Sequence, residues 1–310
     1  MHPHLVIGAG AVGQQVAQQL ADSGRDVVVV SRRGSGPVHD LIRLTAADAT
    51  SVEALLSVAP QAEAIYNCAN PAYHRWVQDW PPLASAFLAY AVQTGAVLVT
   101  CSNLYGYGPV DGPLVEDLPL ASRGIKGQVR AQMWQQAKAQ HDAGKLRATE
   151  VRGSDYIVAA ESSLIASSRV VPRMLRGRSV SLLGNVDVDH SWTAPVDVAR
   201  LMVAAAVNER AWGLAWHVPT NPPRTQRQVV NDLADQAERP HVPVKSLPPA
   251  TLWALGLFSP AIRELRETDY QRATPFVIDD TAARQTFGIE PTPWPQILES
   301  VLNSYRDEPL

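Results

Sequence analysis

Lys126 and Arg130 stand four residues apart in "IKGQVR", the spacing that puts two side chains on one face of a helix. Two cations so placed on an exposed helix repel by about 0.2–0.5 kcal/mol, which a solvated basic face tolerates. In a cleft the same pair does chemistry. Arg130 stays charged at any working pH and offers several donors in a rigid fork. Lys126 has two possible roles. Lowered by about 2–3 units from its usual pKa of about 10.4, its ammonium becomes a useful general acid. Left charged, it stabilises a developing alkoxide or enolate. Upstream, "VTCSNLYGYGP" supplies Ser102, able to orient a carbonyl, and Tyr105, a second proton donor three residues on.

A different constellation opens the chain. "VIGAGAVG" spaces Gly8, Gly10 and Gly13 directly after an apolar run and before an amphipathic one. Gly8 permits the tight turn, Gly10 lets backbone approach a pyrophosphate, and Gly13 lets helix and strand pack closely. Ala11 and Val12 open the helix, whose free N–H groups and dipole face the phosphates. The second apolar run ends in Ser31, Arg32 and Arg33, where an NAD site places an acid for the ribose diol. An arginine there grips a 2′-phosphate and stacks on adenine, and Asp26 precedes the run instead of ending it. The expected cofactor is therefore NADP, with NAD second. Asp48 in "LTAADAT" falls in reach of the adenine amino group. "NCANP" brings Asn67, Cys68, Ala69 and Asn70 beside the phosphates and ribose.

The elements that must position these groups are legible in the periodicity. Residues 4 to 155 alternate candidate strands "HLVIG", "DVVVVS", "RLTAA", "AIYNCA", "AVLVTCS" and "ATEVRG" with helical segments. In "VGQQVAQQLADSG", Val12, Val16, Leu20 and Ala21 share a face, and Gly24 ends the helix. Alternation of this kind predicts a Rossmann-type, doubly wound α/β parallel sheet covered on both faces. After about residue 156 proline-rich stretches intervene. Helices are expected near 225–237, 249–257 and 295–305, and Asp197 reads as the cap of "VARLMVAAAV". The boundaries follow as 1–155 for the nucleotide-binding unit and 156–310 for a mixed region with a small substrate-binding lobe, partly returning to the main sheet.

Composition sets the setting. With 310 residues, 46% hydrophobic and 18% charged, the chain can bury a large core; its net charge of -3 gives no basic stripe for nucleic acid. Cys68 and Cys101 are too few for a disulfide framework and read as small buried hydrophobes. No metal-ligand spacing occurs, so no metal is expected. "MHPHLVIG" has no signal-peptide character, and no apolar run reaches spanning length. The expected place is the cytoplasm, away from membranes.

Taken together, "VIGAGAVG", Asp48 in "AADAT", "VTCSNLYGYGP", "EVRGSDY", "HSWTAPVDVAR" and "FGIEPTPW" resemble the short-chain dehydrogenase/reductases. The closest branch is the extended one, the NAD-dependent epimerase/dehydratases. The resemblance implies a tyrosine and a lysine four apart, some two dozen residues after the serine. The tyrosine passes a proton to or from substrate; the lysine lowers its pKa and binds the nicotinamide ribose. Lys126 and Arg130 occupy those places. Arg130 would keep the ribose contact, while Lys126 or Tyr105 handles the proton, or Tyr105 packs beside the nicotinamide. Asp155 and Tyr156 lie at the carboxyl edge of the sheet, where such folds bind ligands. The resemblance adds Arg173 and Trp192 to that pocket, and a homodimer through the helix after Arg130. The resulting expectation is an NADP-dependent oxidoreductase on a small carbonyl or alcohol substrate. One alternative is a sugar-nucleotide epimerase or dehydratase with NAD(P) bound, charge coming from Arg173, Arg176 and Arg178. Another is a dinucleotide-binding regulator that does not turn over.

Overall fold

The computed structural model describes residues 2–161, 163–247 and 266–306. The helix expected near 249–257 lies outside the described residues. All six expected strands form: β1 (His4–Ile7), β2 (Val27–Ser31), β3 (Ile42–Ala46), β4 (Ala64–Asn67), β5 (Val97–Asn103) and β6 (Arg147–Gly153). They lie parallel in the order β3-β2-β1-β4-β5-β6, with Ala215–His217 as a seventh strand beside β6. The chain therefore returns to the main sheet after residue 156.

Strand alternation sorts the core. Leu5, Ile7, Val28, Val30 and Leu98 face one side, packed by α2 (Val52–Val58), α3 (Trp76–Thr94) and α4 (Ile125–Asp142). Val6, Val27, Val29, Val97 and Val99 face the other side, where α1 (Ala11–Asp22) packs with the helix Pro195–Val207. α1 buries Val12, Val16, Leu20 and Ala21, the expected face, and Gly24 follows it at φ +77°. β1 and β4 are neighbours with α1 and α3 on opposite faces, so strand order reverses between them. Ligands of doubly wound sheets bind at the carboxyl ends flanking such a point.

The lobe gathers the helices Val171–Leu175, Gln226–Gln236 and Trp294–Asn303 with the two-stranded pair Val180–Leu182 and Val244–Ser246 around a third core. Asp197 does not cap its helix, contrary to expectation. It lies inside the first turn, and its carboxylate accepts from the Thr292 amide and hydroxyl and from Arg200. A buried carboxylate satisfied by three donors ties that helix to the lobe. No helix among the described residues is long and apolar enough to cross a membrane.

A buried polar chain joins the sheet's outer edge to the segment before Thr281. Arg152 donates to Glu150 at 2.7 Å and to the Tyr107 hydroxyl at 2.6 Å. Tyr107 in turn meets His217 Nε2 at 2.9 Å, and His217 Nδ1 meets the Asp279 carbonyl at 2.9 Å. A carbonyl can only accept, so Nδ1 carries the proton and Nε2 accepts from Tyr107. That tautomer is neutral, and burial lowers the His217 pKa from 6.5 to about 4. The unfolded chain then binds the proton first on acidification, so stability falls as pH drops from about 6.5 towards 4. Replacing His217 by Gln is expected to remove about 2–4 kcal/mol of that acid sensitivity in urea denaturation followed across this window.

Candidate active site

The glycine turn adopts the geometry its spacing demands. Gly8 sits at φ +102°, and a Cβ on it would lie 2.7 Å from the Cys68 carbonyl oxygen. A Cβ on Gly13 would lie 1.9 Å from the Gly8 oxygen, whereas one on Gly10 would meet nothing within 4 Å. Gly8 and Gly13 are thus fixed by packing, and Gly10 faces open space. Gly10 caps α1 without a side chain, and its first turn holds no acid, which leaves an exposed ring of N–H donors suited to a diphosphate. Ser31 closes its own turn by hydrogen bonds with Ser35. Arg32 and Arg33 project exposed beyond β2, and exposed Asp48 takes both Thr50 donors on one oxygen. Buried Asn67 accepts from the Ala69 amide, while Cys68 lies against Gly13 and Asn70 is exposed.

The cationic pair is not a solvated face. Lys126 is 3% exposed and Arg130 7%, although both belong to the first turns of α4. Glu267, 141 residues away, explains how Lys126 survives burial. One carboxylate oxygen accepts from the Lys126 amide at 2.6 Å, and the other lies 3.5 Å from its ammonium. The same ammonium sits 4.6 Å from the centre of the Tyr73 ring. Gly124 is needed here, since a Cβ on it would meet Glu267 at 2.4 Å.

Arg130 has gone elsewhere. Its guanidinium carbon lies 4.7 Å from the Trp76 ring and 4.2 Å from the Trp80 ring. Its Nε and one Nη, like Ser102 Oγ, are buried without a hydrogen-bond partner. Burial lowers the Arg130 pKa, yet a guanidinium keeps its proton. A buried cation with unmet donors is expensive, and the simplest remedy is an acceptor from a ligand.

The remaining candidates divide. Tyr105 stacks on Trp76 at 5.9 Å, and its hydroxyl lies beside that of Tyr73, which also has the Thr268 hydroxyl next to it. Burial pushes the pKa of Tyr73, Tyr105 and Tyr156 up, so each is a neutral O–H donor at neutral pH. The Tyr156 hydroxyl meets Cys101 Sγ at 3.3 Å. Burial also raises the pKa of Cys68 and Cys101, both free thiols, which fits their reading as small hydrophobes. Burial opposes ionisation of Asp155, but His190 at 3.2 Å and the Arg272 charge outweigh it and hold its carboxyl below the ordinary range. Trp192 is buried against His190, 4.6 Å between rings. Arg173 is not drawn into this group: it is exposed, and its guanidinium closes a turn on the Ser179 carbonyl. Five contributors escaped the sequence reading: Tyr73, Trp76, Trp80, Glu267 and Arg272. For Trp76 and Trp80 the four-residue spacing was available. For Glu267 no local signal exists.

A family model described as the NAD dependent epimerase/dehydratase family matches residues 4–214. The chain belongs to that family. Solved structures share its fold across nearly the whole length. The UDP-glucose 4-epimerase of Thermotoga maritima, solved with UDP-glucose, is 19% identical with TM-score 0.78, covering 98% of both chains. The dTDP-glucose 4,6-dehydratase of Bacillus anthracis, solved with NAD, is 16% identical with TM-score 0.77, covering 99% of this chain and 97% of its own. The UDP-N-acetylglucosamine 4-epimerase of Bacillus cereus is 14% identical with TM-score 0.77, covering 100% and 98%. No curated protein sequence matches this one. Among the described residues no group of three or more His, Cys, Asp or Glu could hold a metal ion.

Neutralising Glu267 tests the Lys126 contact. Glu267→Gln keeps an acceptor for the amide but leaves the ammonium uncompensated, at an expected cost of about 1–3 kcal/mol in chemical denaturation. Combining it with Lys126→Met should recover most of that loss.

Proposed function

We propose that this protein binds an adenine dinucleotide at the Gly8–Gly13 turn and acts as an epimerase or dehydratase on a sugar nucleotide, keeping the cofactor bound through the cycle. The observation that carries the reading is the pairing of an open helix N-terminus with buried, unmet donors on Arg130. The residues present fit the cofactor. The α1 N–H groups would take the diphosphate, Asp48 the adenine amino group, and the Asn67–Asn70 loop and Arg130 the ribose near the nicotinamide. Bound, the dinucleotide supplies a hydride acceptor.

The chain's own residues must then manage a proton and a charge. Lys126, held by Glu267, stabilises negative charge developing on a substrate oxygen. Tyr105 is the hydroxyl best placed to exchange the proton. Family membership favours this reading over free reduction of a carbonyl compound, which shares its hydride step. Arg32 and Arg33 support acceptance of a 2′-phosphate, so NADP binding stands beside NAD. One observation favours a second reading, a dinucleotide-binding protein without turnover: Lys126, at the place where the resemblance implies a phenol, is committed to Glu267.

Calorimetry, Tm and turnover check the proposal. Gly10→Ala should leave Tm unchanged yet weaken NAD and NADP binding by calorimetry at least tenfold, because its Cβ enters only the phosphate space. Gly13→Ala should instead lower Tm sharply. The double variant Arg32→Ala, Arg33→Ala should weaken NADP about tenfold and leave NAD unaffected. Turnover of UDP-glucose or dTDP-glucose by protein that retains cofactor through purification separates the enzyme from the regulator.

A further inference from the structure

We infer that Trp76 and Trp80 are positioning residues for Arg130, and that the three form one co-adapted unit which a lysine at 130 cannot enter. The inference rests on the dinucleotide reading above and concerns how the site holds its ribose contact.

Trp76 and Trp80 stand one helical turn apart on α3, with their rings 6.1 Å apart at 81°. They make a right-angled corner, and the Arg130 guanidinium fills it, 4.7 Å and 4.2 Å from the two ring centres. A guanidinium offers its faces to aromatic rings and its edges to acceptors. Both can be used at once. Here the two rings stand at 81°, so the planar guanidinium can lie flat on only one of them while it fills the corner, and Nε and one Nη remain buried and unpartnered. An ammonium has no such division. On a shorter stem, a lysine drawn into the corner would spend its charge on the rings and present no fixed fork.

The corner is itself anchored to the cofactor side. The Trp76 indole N–H donates to the Pro71 carbonyl at 3.1 Å. Pro71 ends the loop whose Cys68 carbonyl packs against Gly8. One indole therefore links the α4 cation to the strand end beside the glycine turn. Trp80, fully buried, closes the corner from below. On this account Arg130, at the place where the resemblance implies a lysine, is inseparable from the two tryptophans.

The experiment is calorimetric titration of the full chain with NAD and NADP, with Tm measured on each variant. Arg130→Lys should weaken binding about tenfold at unchanged Tm, although it restores the family's residue. Trp76→Phe should weaken binding by a similar factor, since it loses the Pro71 bond and part of the corner. In the Arg130→Lys background it should cost little more, giving a non-additive cycle. Trp80→Phe, which keeps an aromatic face, should retain most affinity, while Trp80→Leu should not. Wild-type affinity in Arg130→Lys, or additive losses across the cycle, overturns the inference while leaving the dinucleotide site standing. Absence of binding by the folded wild-type protein overturns both.

Discussion

Two positive charges buried at the start of α4 govern the rest of this site. A cation taken from water costs several kcal/mol unless its surroundings answer it. Lys126 and Arg130 are answered differently. Lys126 receives a carboxylate from a segment far along the chain, with the Tyr73 ring below its ammonium. Arg130 receives the Trp76 and Trp80 rings and the charge of Glu150, without a hydrogen bond to its Nε or one Nη. The first pair is close to neutral and structurally closed. The second keeps its charge and two donors in reserve, which is the condition of a group awaiting a ligand.

That asymmetry explains why one short stretch makes so many contacts. Glu267 holds Lys126, Thr268 lies beside Tyr73, the Gln271 carbonyl meets His190, and the Arg272 charge acts on Asp155. Four residues of a six-residue run engage four side chains of the site, Lys126, Tyr73, His190 and Asp155. Arg272 is buried against Gly184, where a Cβ would lie 2.4 Å from its own, so the run is fixed at its far end as well.

How much of this could be read from the sequence follows from distance along the chain. The glycine turn is local: strand, turn and helix start lie within a dozen residues, and Gly8 and Gly13 each have a steric reason that the fold bears out, while Gly10 faces open space. The place of Lys126 and Arg130 was also legible, because counting on from Ser102 reaches the helix that follows β5. What burial did to them was not. The charge pair alone describes a solvated face, and only tertiary packing reveals Trp76, Trp80 and Glu267 around it. Pro81 and Pro82 inside α3 further hide the helix that carries both tryptophans, since proline normally ends such a pattern. Arg173 failed in the opposite direction. Its charge and position suited a pocket, but a nearby carbonyl captured it.

The chemistry that remains possible is set by which groups can give up a proton. The first turns of α4 bring the cations Lys126 and Arg130, and the phenols come from beyond the strands: Tyr73 after β4, Tyr105 after β5 and Tyr156 after β6. Burial raises the pKa of all three, which keeps them protonated. The Asp155 charge pushes the Tyr105 pKa up further, while Asp155 pairs with His190 at 3.2 Å and Glu267 pairs with Lys126. The phenols therefore act as O–H donors and not as bases, while Lys126 and Arg130 supply the positive field of the region. Cations and protonated phenols thus reach one region from different elements, helix start on one side and strand ends on the other, and only the tertiary fold brings them together.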